Sequence, residues 1–242
     1  LEFPGYSINW TEVRKRITAK TRMIILNSPH NPTGAVLNED DIIQLKEIVK
    51  DTDIIILSDE VYEHVIFDEK KHLSMLRYPE LLERSFVCFS FGKVYHCTGW
   101  KTGYCTAPEY LMKEFRKIHQ FVVFSVNTPV QYAYADFLDN ENHYLSLNKF
   151  YEMKRDLLIK KLENSGFKFK PAKGTYFQLF DYSELSREND LEFTRFLTKE
   201  IKVAAIPMSP FYSQEYEGKI IRLCFAKKDE IIEEAALRLC ML

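Results

Sequence analysis

Glycine is scarce in this sequence. It supplies 8 of 242 residues, about 3% against an average of roughly 7%. Loops that cradle phosphate groups with backbone amides are glycine-rich, so such a loop is expected to lie outside this sequence. With Leu1 rather than Met at its start, the chain is expected to be a fragment. Paired cysteines are also lacking. Cys88, Cys97, Cys105, Cys224 and Cys240 are odd in number and have no C-x-x-C spacing. That excludes a disulfide scaffold or a zinc ribbon, leaves no metal site in view, and suits a reducing cytoplasm. Long apolar runs are missing too: stretches such as Ile54–Leu57 fall far short of a membrane span, and no signal-peptide pattern is seen. Nor is there an excess of one charge. Lys plus Arg is 33, Asp plus Glu is 35, and the net charge is −2, which argues against nucleic acid or an anionic membrane as the main partner.

What remains is ordinary globular material, 46% hydrophobic and 28% charged. A helical pattern runs from Asn9 to Lys20, then a buried-strand pattern over Met23–Leu26. A turn cluster, Ser28-Pro29-His30-Asn31-Pro32-Thr33-Gly34, interrupts regular structure. Asn38 reads as an N-cap, followed by Ile42, Leu45, Ile48 and Val49 at helical spacing. Residues 53–60 are apolar on both faces, as in a central parallel strand. The spacing therefore predicts a strand–helix–strand unit over 22–59. Further strands are expected at Ser85–Phe91 and Thr102–Ala107, with helices over 108–120 and from Thr128, the last from about Tyr144 to Asn164 and capped at Ser165-Gly166. Beyond Gly166 short strands (167–170, 175–181, 220–225) alternate with helices near 190–200 and 228–242. The resulting expectation is an α/β protein in three parts: 1–143 in a mostly parallel sheet, an interdomain helix over 144–165, and a smaller α+β domain over 166–242.

In parallel sheets ligands bind beyond the carboxyl ends of the strands. Three charged residues stand in or at the end of apolar strands: Asp59, Lys93 and Arg222. Each has a structural reading as well: a turn or cap for Asp59, a snorkelling side chain for Lys93, an ion pair for Arg222. Together they make one chemistry economical. A lysine amine can form a Schiff base with an aldehyde cofactor, an aspartate can keep a pyridine nitrogen protonated, and an arginine can hold an amino acid's carboxylate, which is the logic of pyridoxal phosphate enzymes.

The chain resembles the fold-type I, class I/II aminotransferases over essentially its whole length. The resemblance rests on His30-Asn31-Pro32-Thr33-Gly34, Ser58-Asp59-Glu60-Val61-Tyr62, Ser90-Phe91-Gly92-Lys93 followed by Thr98-Gly99-Trp100-Lys101-Thr102-Gly103-Tyr104, and Ile221-Arg222-Leu223-Cys224-Phe225, in that order. Segments 124–129, 174–177 and 203–207 look most like the methionine and kynurenine aminotransferase branch. The resemblance implies the large domain of that fold, incomplete here, with pyridoxal 5'-phosphate as cofactor. It implies that Lys93 forms the Schiff base and shuttles a proton, that Asp59 pairs with the ring nitrogen, and that Asn31 and Tyr62 bond the phenolic oxygen. Ser90 and Lys101 would bind the phosphate, Lys101 standing where many relatives have arginine, and Arg222 would take the substrate carboxylate. It also implies a homodimer, with Val126 and Asn127 reaching toward a neighbouring subunit. Methionine or an aromatic amino acid is the expected donor and a 2-oxo acid the acceptor. Tyr62, Tyr95, Phe124 and Tyr176 would line the pocket, and no second arginine stands beside them. Trp100 and Tyr104 are expected to pack, and His30 and His96 to flank the site.

Three other readings stay open. A C–S β-lyase on the same scaffold shares the core residues. Ser90-x-x-Lys93 matches the serine–lysine acyl-transfer motif, but its partner motifs are absent. A catalytically incomplete fragment would hold no cofactor.

Overall fold

The computed structural model describes residues 5–242. Local chemistry sets its first elements. Asn9 caps α1 (Trp10–Arg16) by accepting from Glu12 N. The helix stops four residues short of Lys20 because Ile17 turns extended and the Thr18 and Thr21 hydroxyls take up backbone amides at Lys20 and Thr18, a local alternative to helical bonding. Asn38 caps α2 (Glu39–Val49) as expected, and Asp41 returns a bond to the Asn38 amide to complete a capping box. Trp10 Nε1 donates to Asp41 Oδ1 at 2.8 Å and ties the two helices together.

The buried face of α2, Ile42, Leu45, Ile48 and Val49, packs with Ile54 and with Ile56, Val87 and Phe89 of the first sheet. That sheet has the order β1 (Met23–Asn27), β2 (Ile55–Asp59), β3 (Ser85–Ser90), β4 (Gly103–Thr106). β1, β2 and β3 run parallel, in a register that sets Asn27 beside Asp59 and Asp59 beside Cys88. The strand–helix–strand unit is as the spacing implied. β4 is antiparallel to β3. β1 departs from its buried pattern: it is an edge strand, and Ile25 is 68% exposed. Only its alternate residues Ile24 and Leu26 reach the core, because nothing among the described residues covers the other face.

After the short helix α3 (Pro79–Leu82) leads into β3, α4 (Phe91–Val94) follows it without a break. Beyond β4 come α5 (Glu109–Val122), α6 (Thr128–Leu138), α7 (Asn142–Leu145) and α8 (Leu147–Leu162). Gly166 does not cap α8 in the left-handed region. The helix ends at Leu162 with Glu163 as its cap, and a Cβ at Gly166 would meet Leu185 Cδ2 at 2.3 Å, so Leu185 would have to turn aside. A second sheet follows, with order β5 (Phe177–Asp181), β7 (Ile220–Cys224), β6 (Ile206–Pro207), all antiparallel. The strand expected over 167–170 shrinks to one bridge, Lys168 to Asp181, and β6 is additional. The helix α9 (Asp190–Phe196) continues into a π-helical turn, and α10 (Asp229–Leu239) packs on α8. Phe180, Tyr182, Phe193, Ile221 and Phe225 centre this second core, where Tyr182 stacks on Phe193 at 4.0 Å.

Residues 172–175 lace the two halves together. Lys173 N donates to Gly34 O, Phe67 N to Lys173 O and Thr175 N to Val65 O. The approach is close enough that Gly34, at φ +69, could not carry a side chain: its Cβ would lie 2.6 Å from Ala172 Cβ. Arg155, 4% exposed on α8, locks the seam. It grips both carboxylate oxygens of Asp68 at 2.8 and 3.1 Å, donates to Ala172 O, and lies over the Phe67 ring. No described helix is long and apolar enough to cross a membrane.

Candidate active site

The carboxyl ends of β1, β2 and β3 converge on one place. β1 ends in Asn27, whose side chain does two jobs: Nδ2 donates to Asp59 O at 3.0 Å, and Oδ1 accepts from Asn31 N at 2.9 Å. The turn that follows contains cis peptides at Ser28–Pro29 and Asn31–Pro32. Its His30 ring bonds Thr33 Oγ1 at 2.8 Å, and burial lowers His30 to about 4, so that ring is neutral at pH 7 and serves the turn.

Asn31 meets Arg222 there. Arg222 Nη1 donates to Asn31 Oδ1 at 2.6 Å, which fixes the Asn31 amide and leaves its Nδ2 as a free donor. The guanidinium lies 4.0 Å above the Phe177 ring and 5.7 Å from that of Phe211. Its Nε is buried and finds no partner among the described residues. A buried cation with an unsatisfied donor is costly by itself, and an incoming carboxylate would relieve that cost.

Asp59 closes β2, half-buried, with Oδ1 accepting from Val61 N at 3.3 Å. Burial raises its carboxyl pKa, opposed by the Val61 bond and by the charge of Lys93. Lys93, on α4, places its amine 5.9 Å from the Tyr62 ring centre. Tyr62 is buried, its hydroxyl 3.5 Å from that of Tyr176. Burial pushes the phenol well above its usual range, so it is a protonated donor at neutral pH. Asn31, Asp59, Tyr62, Lys93 and Arg222 thus form one linked group.

The two expected phosphate residues are placed less tightly. Ser90 ends β3 half-buried and makes no capping bond to α4. It lines a cavity of about 200 Å³ with Glu63, Phe91, Tyr95, Tyr104 and Tyr144, in which burial pushes Glu63 up to about 7. Lys101 is exposed at φ 55, and among the described residues no hydrogen bond or ion pair joins it to the others. Of the expected aromatic lining, Tyr176 sits beside Tyr62 at 5.2 Å and Tyr95 borders the Ser90 cavity. Phe124 does not join them: it is 84% exposed beyond the end of α5. Tyr104 packs as expected, stacked on Phe89 at 4.7 Å, and Trp100 leans on Tyr134 at 5.5 Å.

Two features of the site escaped the sequence reading. Asn27 is one; its only signal is an amide ending an apolar strand. The other is Glu60, next to Asp59 and 1% exposed, which accepts from Ser58 Oγ, His72 Nε2 and Met75 N at 2.8, 2.7 and 3.0 Å. Burial pushes this carboxyl up, but the bonds from His72 and Met75 outweigh it and hold Glu60 below its usual range.

Comparison with known proteins gives the family. The chain is 47% identical over 240 residues to the methionine aminotransferase of Escherichia coli K12, covering 99% of this chain and 62% of the relative. It is 34% identical to human kynurenine–oxoglutarate transaminase 3, over 95% of this chain and 56% of that one. A solved Escherichia coli structure, reported with a methionine aminotransferase function, superimposes with a TM-score of 0.97 at 46% identity, over 100% of this chain and 64% of that one. The N-succinyldiaminopimelate aminotransferase structure from Mycobacterium tuberculosis gives a TM-score of 0.94 at 33% identity, over 100% and 63%. The chain therefore spans somewhat under two thirds of the length of these relatives. The model of aminotransferase classes I and II matches residues 2–239, and the chain belongs to that family.

Proposed function

We propose that the full-length protein is a pyridoxal-phosphate-dependent aminotransferase that moves the amino group of methionine or an aromatic amino acid to a 2-oxo acid by a ping-pong route. The observation that carries this reading is the reach of Arg222 from the second sheet to Asn31 at the strand ends of the first. That reach supports reading Arg222 as the receptor for the substrate carboxylate.

The donor set suits the cofactor. When bound, pyridoxal phosphate supplies an aldehyde for amine exchange and a protonated ring that withdraws electrons. Lys93 offers the amine and afterwards carries the proton taken from the substrate α-carbon. Asp59 presents a carboxylate to the ring nitrogen. Asn31 Nδ2 and the Tyr62 hydroxyl, whose present bond to Tyr176 is a long 3.5 Å, suit an anionic phenolic oxygen. Ser90 and Lys101 serve the phosphate, and Arg222 holds the substrate carboxylate.

Specificity then falls to the side-chain pocket. Tyr62 and Tyr176 offer aromatic walls, which favour a thioether or a flat ring. The exposed apolar side chains around α5 and α6, Phe121 and Phe124 among them, support a homodimer. The five free cysteines suit a cytoplasmic setting. Residues 1–143 are assigned to the cofactor domain, 144–165 to the connecting helix and 166–242 to the small domain.

The test compares kcat/KM of the full-length protein for methionine, phenylalanine, kynurenine and aspartate with a common 2-oxo acid. Methionine is expected to lead, with the aromatic donors next. A clear preference for aspartate would overturn the substrate reading. Release of pyruvate and ammonia from an S-substituted cysteine, without amino transfer from any donor, would make the protein a C–S β-lyase.

A further inference from the structure

Cys88 and Cys105 face each other across the antiparallel pair of β3 and β4. Residues directly opposed in such a pair have Cα atoms roughly 4.5–5.5 Å apart, inside the range of roughly 4.4–6.8 Å that a disulfide spans. Both thiols are free and half-buried. Among the described strands they are the pair of cysteines that the registers bring face to face; Cys97 instead lies 3.1 Å from the Tyr134 hydroxyl. Among the described residues β4 is the last strand of its sheet, and the Cys105 side chain is half-buried rather than enclosed. The position matters, because β3 runs straight from Cys88 into Ser90 and the turn that bears Lys93, and on its other side Cys88 is in register with Asp59.

We propose that Cys88 and Cys105 form a reversible intramolecular disulfide when the protein meets a small-molecule disulfide of the glutathione type. The Cys105 thiolate attacks one sulfur of the oxidant, forming a mixed disulfide and releasing one small thiolate. Cys88, giving up its proton, then attacks the Cys105 sulfur. The protein disulfide closes, the second small thiol leaves, and the oxidant is reduced to two thiols while two protein thiols are oxidised.

The two thiols are electrostatically unequal in the direction this order needs. Interaction with Cys88 holds Cys105 below the usual thiol range, while interaction with Cys105, burial and the nearby carboxylates of Asp59 and Glu60 push Cys88 up. Cys88 also stands in register with Asp59, and a carboxylate beside a thiol disfavours its thiolate, so Cys105 is the attacking sulfur and Cys88 the resolving one.

The experiment treats the full-length protein with oxidised glutathione, blocks residual thiols, and maps non-reduced peptides by mass spectrometry. A cross-linked peptide pair containing Cys88 and Cys105, lost on addition of dithiothreitol, is expected. Cys88→Ser should trap glutathione on Cys105, and Cys105→Ser should leave Cys88 unmodified. The proposal is overturned if Cys88 and Cys105 stay reduced while exposed Cys224 or Cys240 is modified. The assigned order is overturned if glutathione accumulates on Cys88 in Cys105→Ser.

Discussion

Arg222 Nη1 donates to Asn31 Oδ1 over 2.6 Å, joining residues 191 positions apart in the chain. The bond orients both partners at once. It turns the Asn31 amide so that its nitrogen is left to donate, and it holds the guanidinium 4.0 Å above Phe177 with Nε unsatisfied among the described residues.

Arg222→Lys tests that arrangement. Lysine keeps the charge but cannot bond Asn31 and a carboxylate with one planar fork. Loss of a charge-assisted hydrogen bond costs about 1.5–3 kcal/mol. kcat/KM for methionine should therefore fall roughly ten- to hundredfold, mainly through KM. An unchanged KM would mean that the substrate carboxylate binds elsewhere.

Lys93→Ala should abolish amino transfer. Borohydride reduction of the wild-type holoenzyme should fix the cofactor on the peptide containing Lys93. Label on Lys101 instead would show that the exposed lysine eight residues on is the attachment point.

Asp59 carries a prediction of opposite sign for activity and stability. Its carboxyl pKa is raised in the folded chain by burial. The folded state then holds that proton more tightly than the unfolded state, so stability falls as pH rises from the ordinary Asp range through the raised value. Asp59→Asn removes that penalty. The cofactor-free variant should melt higher than the wild type at neutral pH, while its amino-transfer rate falls by about a hundredfold or more. A lower melting temperature at pH 7 together with a normal rate would refute both halves.

Glu60 behaves in the reverse way. Its carboxyl lies below the usual range, so the stability it contributes is present above the unfolded Glu pKa of about 4.3 and is lost as pH falls through the folded value. His72→Ala removes one of the three hydrogen bonds to that buried carboxylate and should cost about 1.5–3 kcal/mol. The deficit, read from urea unfolding, should narrow as the pH is lowered toward 4. A deficit independent of pH would mean that His72 acts only by packing.

The site was legible wherever a polar residue broke an apolar strand. Asp59, Lys93 and Arg222 each stood out for that reason, and the apolar periodicities set α2, β2 and β3 within two residues of their ends. The antiparallel sense of β4 was not legible, because alternation marks faces and carries no direction. Nor was the Glu60–His72 pair, since it depends on the polar segment 68–74 folding back over the end of β2. Phe124 was misplaced for a related reason: its neighbours in sequence resemble pocket residues, but the end of α5 carries it outward.

The flank of β1 that no described strand covers governs how this 242-residue chain will behave in concentrated solution. An unpaired edge displays a row of amides and carbonyls ready to accept another strand. Met23 and Ile25 add exposed hydrocarbon beside that row, and a net charge of −2 gives little mutual repulsion between molecules. Self-association should begin along this edge, and placing a lysine at position 25 should keep the chain dispersed without touching Asp59, Lys93 or Arg222.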